Sequence, residues 1–114
     1  MPTMKYTPPI KEDPFQQQVI DLAHYLGWIV AHFKPALSQS GRWMTPVQAD
    51  GKGFPDLVIV RERVIYAELK SDKKKPTDDQ QKWINALRLS GEEVYVWRPR
   101  DWDEIREVLR SRKN

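Results

Sequence analysis

The sequence predicts an α/β domain, a mixed four-stranded sheet flanked by helices in the order α-β-β-β-α-β-α. Three observations carry this. Two apolar runs, "LVIV" (57–60) and "VIYAEL" (64–69), are separated only by Arg61, Glu62 and Arg63, the spacing of an antiparallel hairpin. Helical periodicity appears before, between and after the apolar strand-like runs. A helix-patterned segment separates the third strand from the fourth, which requires a crossover and makes those two strands parallel.

Taken in order, residues 1–12 hold Pro2, Pro8 and Pro9 and read as an extended arm. Asp13 followed by Pro14 reads as an N-cap with proline at the first helical position, and Phe15, Val19, Leu22, Ala23 and Leu26 then recur at helical spacing until Gly27. "WIVAHF" (28–33) is aromatic and β-branched and reads as the first strand. Residues 34–53 follow as a long irregular loop with Pro35, Pro46 and three glycines, a length that in a compact domain is usually functional or mobile. After the hairpin and the basic "KSDKKKP", Thr77 starts a second helix whose Trp83, Ile84, Ala86 and Leu87 face the core before Ser90 and Gly91 end it. "EVYVWR" is the fourth strand. Asp101 then caps a last helix with Trp102, Ile105, Val108 and Leu109 inward.

At 114 residues and 39% hydrophobic content the chain has enough material for one core, so residues 1–114 are expected to form a single domain. No cysteine is present, which excludes a disulfide framework and Cys-ligated zinc, and His24 and His32 are the only histidines. Any metal would be held by carboxylates, which favours hard ions such as magnesium or manganese. The N-terminus lacks the apolar core of a signal peptide and no apolar run reaches the roughly 20 residues that span a bilayer, so a cytoplasmic protein with no membrane partner is expected. A formal charge of +3 hints only weakly at nucleic acid.

The hairpin carries the unusual charges. With Val60 opposite Val64, counting back places Asp56 opposite Glu68, where Cβ atoms lie about 4.5–5.5 Å apart. Two carboxylates so close repel each other unless a cation joins them. Glu68 and Lys70, two residues apart on one strand, share a face. A magnesium ion between the carboxylates, with Lys70 to position water or stabilise developing charge, suits phosphodiester hydrolysis. The plainer alternative is a set of exposed charges at the hairpin's open end.

"GFPD" (53–56), "ELK" beginning twelve residues after Asp56, and "TDDQQKW" (77–83) resemble the VRR-NUC branch of the PD-(D/E)XK, or restriction endonuclease-like, nuclease superfamily. The similarity runs from about Glu12 to Arg98 and includes "LGW" before the first strand and the late "VYVWRP". The resemblance implies Asp56, Glu68 and Lys70 as the catalytic set, the backbone carbonyl of Leu69 as a further metal ligand, Glu12 as an auxiliary one, and Gln80 as a group near the lysine. Gln80 equally fits a capping box with Thr77. Trp83 reads as core. His32 reads as a packed histidine or a substrate contact. Lys73, Lys74 and Lys75, with Arg42, Trp43 and Lys52 from the long loop and Arg98 after the fourth strand, fit either a solvated surface or a phosphate and base clamp. The resemblance also implies a homodimer acting on DNA, in particular branched or Holliday-junction DNA, in a phage or bacterial setting. A weakly catalytic nucleic-acid-binding module, or a nuclease for RNA, are the competing functions.

Overall fold

The computed structural model describes residues 12–33, 36–37, 43–44 and 48–112, apart from the side chains of Glu12, Asp13, Ala36, Leu37, Trp43 and Met44. The elements are α1 (Glu12–Tyr25), β1 (Ile29–His32), β2 (Ala36–Leu37), β3 (Trp43–Met44), β4 (Leu57–Val60), β5 (Val64–Leu69), α2 (Asp78–Leu89), β6 (Glu93–Trp97), a 3-10 turn (Pro99–Asp101) and α3 (Trp102–Arg110). The main sheet has the order β1-β4-β5-β6. Its first two pairings are antiparallel and β5 runs parallel to β6, as the helix between those strands demands. The expected α/β core is therefore present. Residues 34–53 are not wholly irregular, since β2 and β3 pair as a short antiparallel ribbon. Residues 1–11 of the expected arm lie outside the described residues.

Alternation along the strands sorts the sheet into two faces. Leu57, Ile59, Ile65, Ala67, Leu69 and Trp97 are fully buried on one, where they meet Phe15, Val19 and Ala23 of α1 and Ile105 and Leu109 of α3. The i, i+4, i+8 spacing in α1 supplies one apolar stripe for that contact. On the opposite face α2 packs against β6, burying Ile84 and Val94. Phe54 holds this side together, its ring meeting those of Phe33, Tyr66 and Trp83 edge-on at 5.5, 6.2 and 5.0 Å.

Several boundaries differ from the expectation. α1 begins at Glu12, so Pro14 is its third residue, still within the first turn where no intrahelical N–H bond is lost. Asp101 does not cap α3 with its side chain; its Oδ2 accepts from the Arg98 N–H at 2.8 Å and closes the 3-10 turn. Ala86 is exposed and only Ile84 of α2 is fully buried, because β6 meets a narrow strip of the helix. Gly27 and Gly91, at φ +91° and +83°, do end α1 and α2 in the left-handed conformation glycine favours.

The charged hairpin loop has a structural task. The Arg61 guanidinium lies 4.3 Å from the centre of the Trp28 ring and donates to the carbonyls of Leu26, Leu109 and Ser111. Arg63 donates to those of Val108 and Ser111 and pairs with Glu93 at 2.7 Å. Trp28 Nε1 donates to Leu109 O at 2.9 Å. Two arginines thus occupy the end of α1 and the last turn of α3, where unsatisfied carbonyls concentrate negative charge.

Candidate active site

Asp56 stands directly before β4, Glu68 is near the end of β5, and Lys70 is the first residue past it. Extending the pairing Leu57↔Ala67 by one step sets Asp56 opposite Glu68, as expected from the three-residue connection. The Phe33 N–H donates to Asp56 O at 3.0 Å, so the sheet continues to this point. Asp56 Oδ2 accepts from the Leu69 backbone N–H at 2.8 Å, which ties the carboxylate across the hairpin to the residue between Glu68 and Lys70. The Lys70 N–H in turn donates to Trp97 O at 3.0 Å, anchoring the lysine to β6.

These charges are not a solvated hairpin end. Glu68 is 1% exposed and Lys70 7%, in a sheet whose other buried residues are apolar. Their charged groups approach to 3.9 Å, longer than a close ion pair. Burying a carboxylate and an ammonium this deeply costs several kcal/mol for each ion unless well compensated. Two buried opposite charges on strands that are otherwise apolar and well packed are characteristic of a site kept for chemistry.

The approach to Asp56 is set by Gly53. Its φ is +89°, and a Cβ added there would lie 2.5 Å from Asp79 C and 2.6 Å from Asp79 O. Only glycine lets the segment 53–56 rest against the first turn of α2. That turn is closed by a full capping box: Thr77 Oγ1 accepts from the Gln80 N–H at 3.2 Å and Gln80 Oε1 accepts from the Thr77 N–H at 2.9 Å. Of the two readings of Gln80 the capping one is therefore present, and it also fixes the helix start against Gly53.

A family model described as the VRR-NUC domain matches residues 16–101. The chain belongs to the VRR-NUC family. It is thus a nuclease domain of the PD-(D/E)XK-like superfamily, and the mixed sheet with its flanking helices is the restriction endonuclease-like core. No curated protein and no solved structure matches the chain.

Around Asp56, Glu68 and Lys70 the structure distributes the other sequence-selected residues of this VRR-NUC domain unevenly. Lys73, Lys74 and Lys75 are exposed on the loop directly after Lys70. Arg98, one residue beyond β6 and beside Lys70, donates through Nη2 to Lys74 O at 2.6 Å. Lys52 extends into solvent and pairs with Asp79 at 3.5 Å. His32 does not join them: its partner is Leu57, which sets it on the α1–α3 face of the sheet, opposite to that of Asp56. The side chains of Glu12 and Trp43, and all of Arg42, lie outside the described residues. Two residues that the sequence did not single out, Phe54 and Asp72, also matter. Phe54 is the aromatic hub beside Asp56, and its place inside "GFPD" was the available signal. Asp72 and Arg100 bind the lysine loop to the 3-10 turn, Asp72 Oδ1 accepting from the Arg100 N–H and Asp72 O from Arg100 Nη1, each at 3.3 Å. No local pattern marks that pair.

The donor set suits a hard divalent ion. Among the described residues no group of three or more His, Cys, Asp or Glu is placed to hold a metal. Asp56 and Glu68 with the Leu69 carbonyl would therefore leave part of the shell to water and substrate oxygens, which is how magnesium is usually bound. Also among the described residues, no helix is long and apolar enough to cross a membrane.

Proposed function

We propose that this chain is a metal-dependent endonuclease that hydrolyses DNA phosphodiester bonds at Asp56, Glu68 and Lys70. The reading rests above all on one observation, the burial of Glu68 and Lys70 side by side opposite Asp56 at the end of a hairpin. Asp56 and Glu68 would hold magnesium, or manganese in its place, with the Leu69 carbonyl as a third protein ligand. Bound there, the ion would supply the positive charge that polarises a phosphate. Lys70, held to β6 by its backbone and to Glu68 by charge, donates hydrogen bonds to the attacking water or to the charge that develops on the phosphoryl oxygens. Asp56, oriented by the Leu69 N–H, keeps its carboxylate aimed across the hairpin instead of outward.

Lys73, Lys74 and Lys75 supply sequence-independent phosphate contacts, and Arg98 with the Asp72–Arg100 pair holds their loop in place. The core carries few elements beyond those that build the site, which favours recognition of DNA shape, such as a branch or four-way junction, over a base sequence. Symmetric cutting of such a junction would use two copies of the chain.

The test is to incubate the protein with matched linear, flapped and four-way DNA and with RNA, in magnesium, manganese or EDTA, beside Asp56→Asn. Cleavage of branched DNA that EDTA and Asp56→Asn both abolish is expected. Binding of DNA without cleavage would replace this reading with a non-catalytic binding module, and cleavage confined to RNA would replace the substrate.

A further inference from the structure

Beside the active-site segment lies an open cavity of about 420 Å³, lined by Ala49, Asp50, Lys52, Asp79, Lys82, Trp83 and Ala86. Its size falls within the range of small-molecule sites. We propose that it is a subsite for one unpaired nucleobase of the substrate strand; this rests on the nuclease reading above and names where the DNA next to the cut is held.

Four features support the assignment. The cavity is built into the fold, because Trp83 Nε1 donates to Asp50 O at 2.9 Å and fixes the turn that forms its opposite wall. That turn, closed by the Gly51 N–H to Gln48 O bond at 3.0 Å, holds Ala49 at φ +53°, a left-handed conformation that costs a non-glycine residue of order 1–3 kcal/mol and is retained where surrounding structure enforces it. The lining also matches a base. Ala49, Ala86 and the Trp83 ring give apolar surface, while Lys52, Lys82, Asp50 and Asp79 supply both donors and acceptors, Lys52 being paired with Asp79 at 3.5 Å. A pure phosphate site would lack the two carboxylates. Finally, the cavity adjoins the catalytic face: Trp83 meets Phe54 at 5.0 Å, Phe54 meets Tyr66 at 6.2 Å, and Tyr66 is two residues before Glu68 on the same face of β5. Phe54 thus links Trp83, which lines the cavity, to the face of β5 that carries Glu68. A strand whose phosphate lies at Asp56 and Glu68 can place a neighbouring base in the cavity, provided the base is unpaired, as at a branch point.

The experiment follows the Trp83 indole N–H by NMR in EDTA while a short oligothymidylate, or inorganic phosphate, is added to the full-length protein. The oligonucleotide is expected to shift that resonance and inorganic phosphate is not. Ala86→Phe, which fills the cavity from an exposed helix position, is expected to abolish the shift and weaken oligonucleotide binding about tenfold. Lys82→Glu, a fully surface change, is expected to weaken it in the same direction should Ala86→Phe fold poorly. A shift that inorganic phosphate reproduces, or that survives both variants, overturns the subsite. Cleavage assays on the same samples separate the two readings: branched-DNA cutting with no Trp83 response removes the subsite and leaves the nuclease, whereas a Trp83 response without cutting removes the nuclease.

Discussion

The Asp56 carboxylate has two tasks that different substitutions separate. It accepts the Leu69 N–H, and it faces Glu68 across the hairpin. Asp56→Asn keeps an acceptor and removes a negative charge, so it should fold with undiminished stability while losing cleavage. Asp56→Ala leaves a half-buried N–H without its acceptor and should lose about 1–3 kcal/mol, measured by urea unfolding in EDTA. Glu68 and Lys70 behave differently, since both are buried and removing one takes a neighbouring opposite charge from the other. Lys70→Ala should therefore abolish cleavage and also destabilise by as much as ~3–5 kcal/mol. At Gly53 backbone conformation and close contact act together, so Gly53→Ala should lower the melting temperature and lower cleavage with it, because α2 and the segment leading to Asp56 cannot both keep their positions.

At the scale of elements, the N-terminus of α2 and the β4–β5 loop do the fixing. Thr77→Ala removes one half of the capping box and should cost about 1 kcal/mol in thermal or denaturant unfolding. Much of this level was legible beforehand. The hairpin register followed from loop length, since Val60 pairs with Val64 and the count back to Asp56 and Glu68 is forced by the two-residue period. The capping box and the glycine ends of α1 and α2 followed from local chemistry. The arginine clamp of Arg61 and Arg63 on α3 was not legible, because its partners are backbone carbonyls some 45 to 50 residues away. Nor was the start of α1, where the cap pattern of Asp13 and Pro14 competes with a helix that begins a residue earlier.

For the molecule as a whole, alkaline pH is the condition to which the β6 edge is sensitive. Burial pushes the Tyr95 hydroxyl above its ordinary value of 10.0, and its hydrogen bond to Glu93 adds to this. The hydrogen bond and charge of Glu93 likewise raise Arg63. Both groups hold their protons more tightly when folded, so the stability they supply is complete below their ordinary values and declines as pH rises through 10.0 for Tyr95 and later for Arg63. Denaturant midpoints should fall from about pH 10 upward, and Tyr95→Phe should flatten the first part of that fall. A divalent ion at the proposed site would act on the whole molecule too. Magnesium at 100 times its dissociation constant should stabilise the wild type by about 2.7 kcal/mol, and Asp56→Asn should not respond, a contrast that calorimetry in magnesium and EDTA would read directly.

By itself the sequence determined the order of the main-sheet strands and the helices, the hairpin register and the approach of Asp56, Glu68 and Lys70, because strand period, turn length and helix caps are local physics. Tertiary structure decided the rest. That Glu68 and Lys70 are buried instead of solvated depends on β6 and α2 arriving beside β5. That His32 faces away from Asp56 depends on which side of the sheet α1 and α3 cover. The Phe54 ring cluster and the nearby cavity depend on Gly53, which brings a distant loop onto α2. Contacts between residues far apart in the chain are selected by the packing of whole elements, and no short stretch of sequence encodes them.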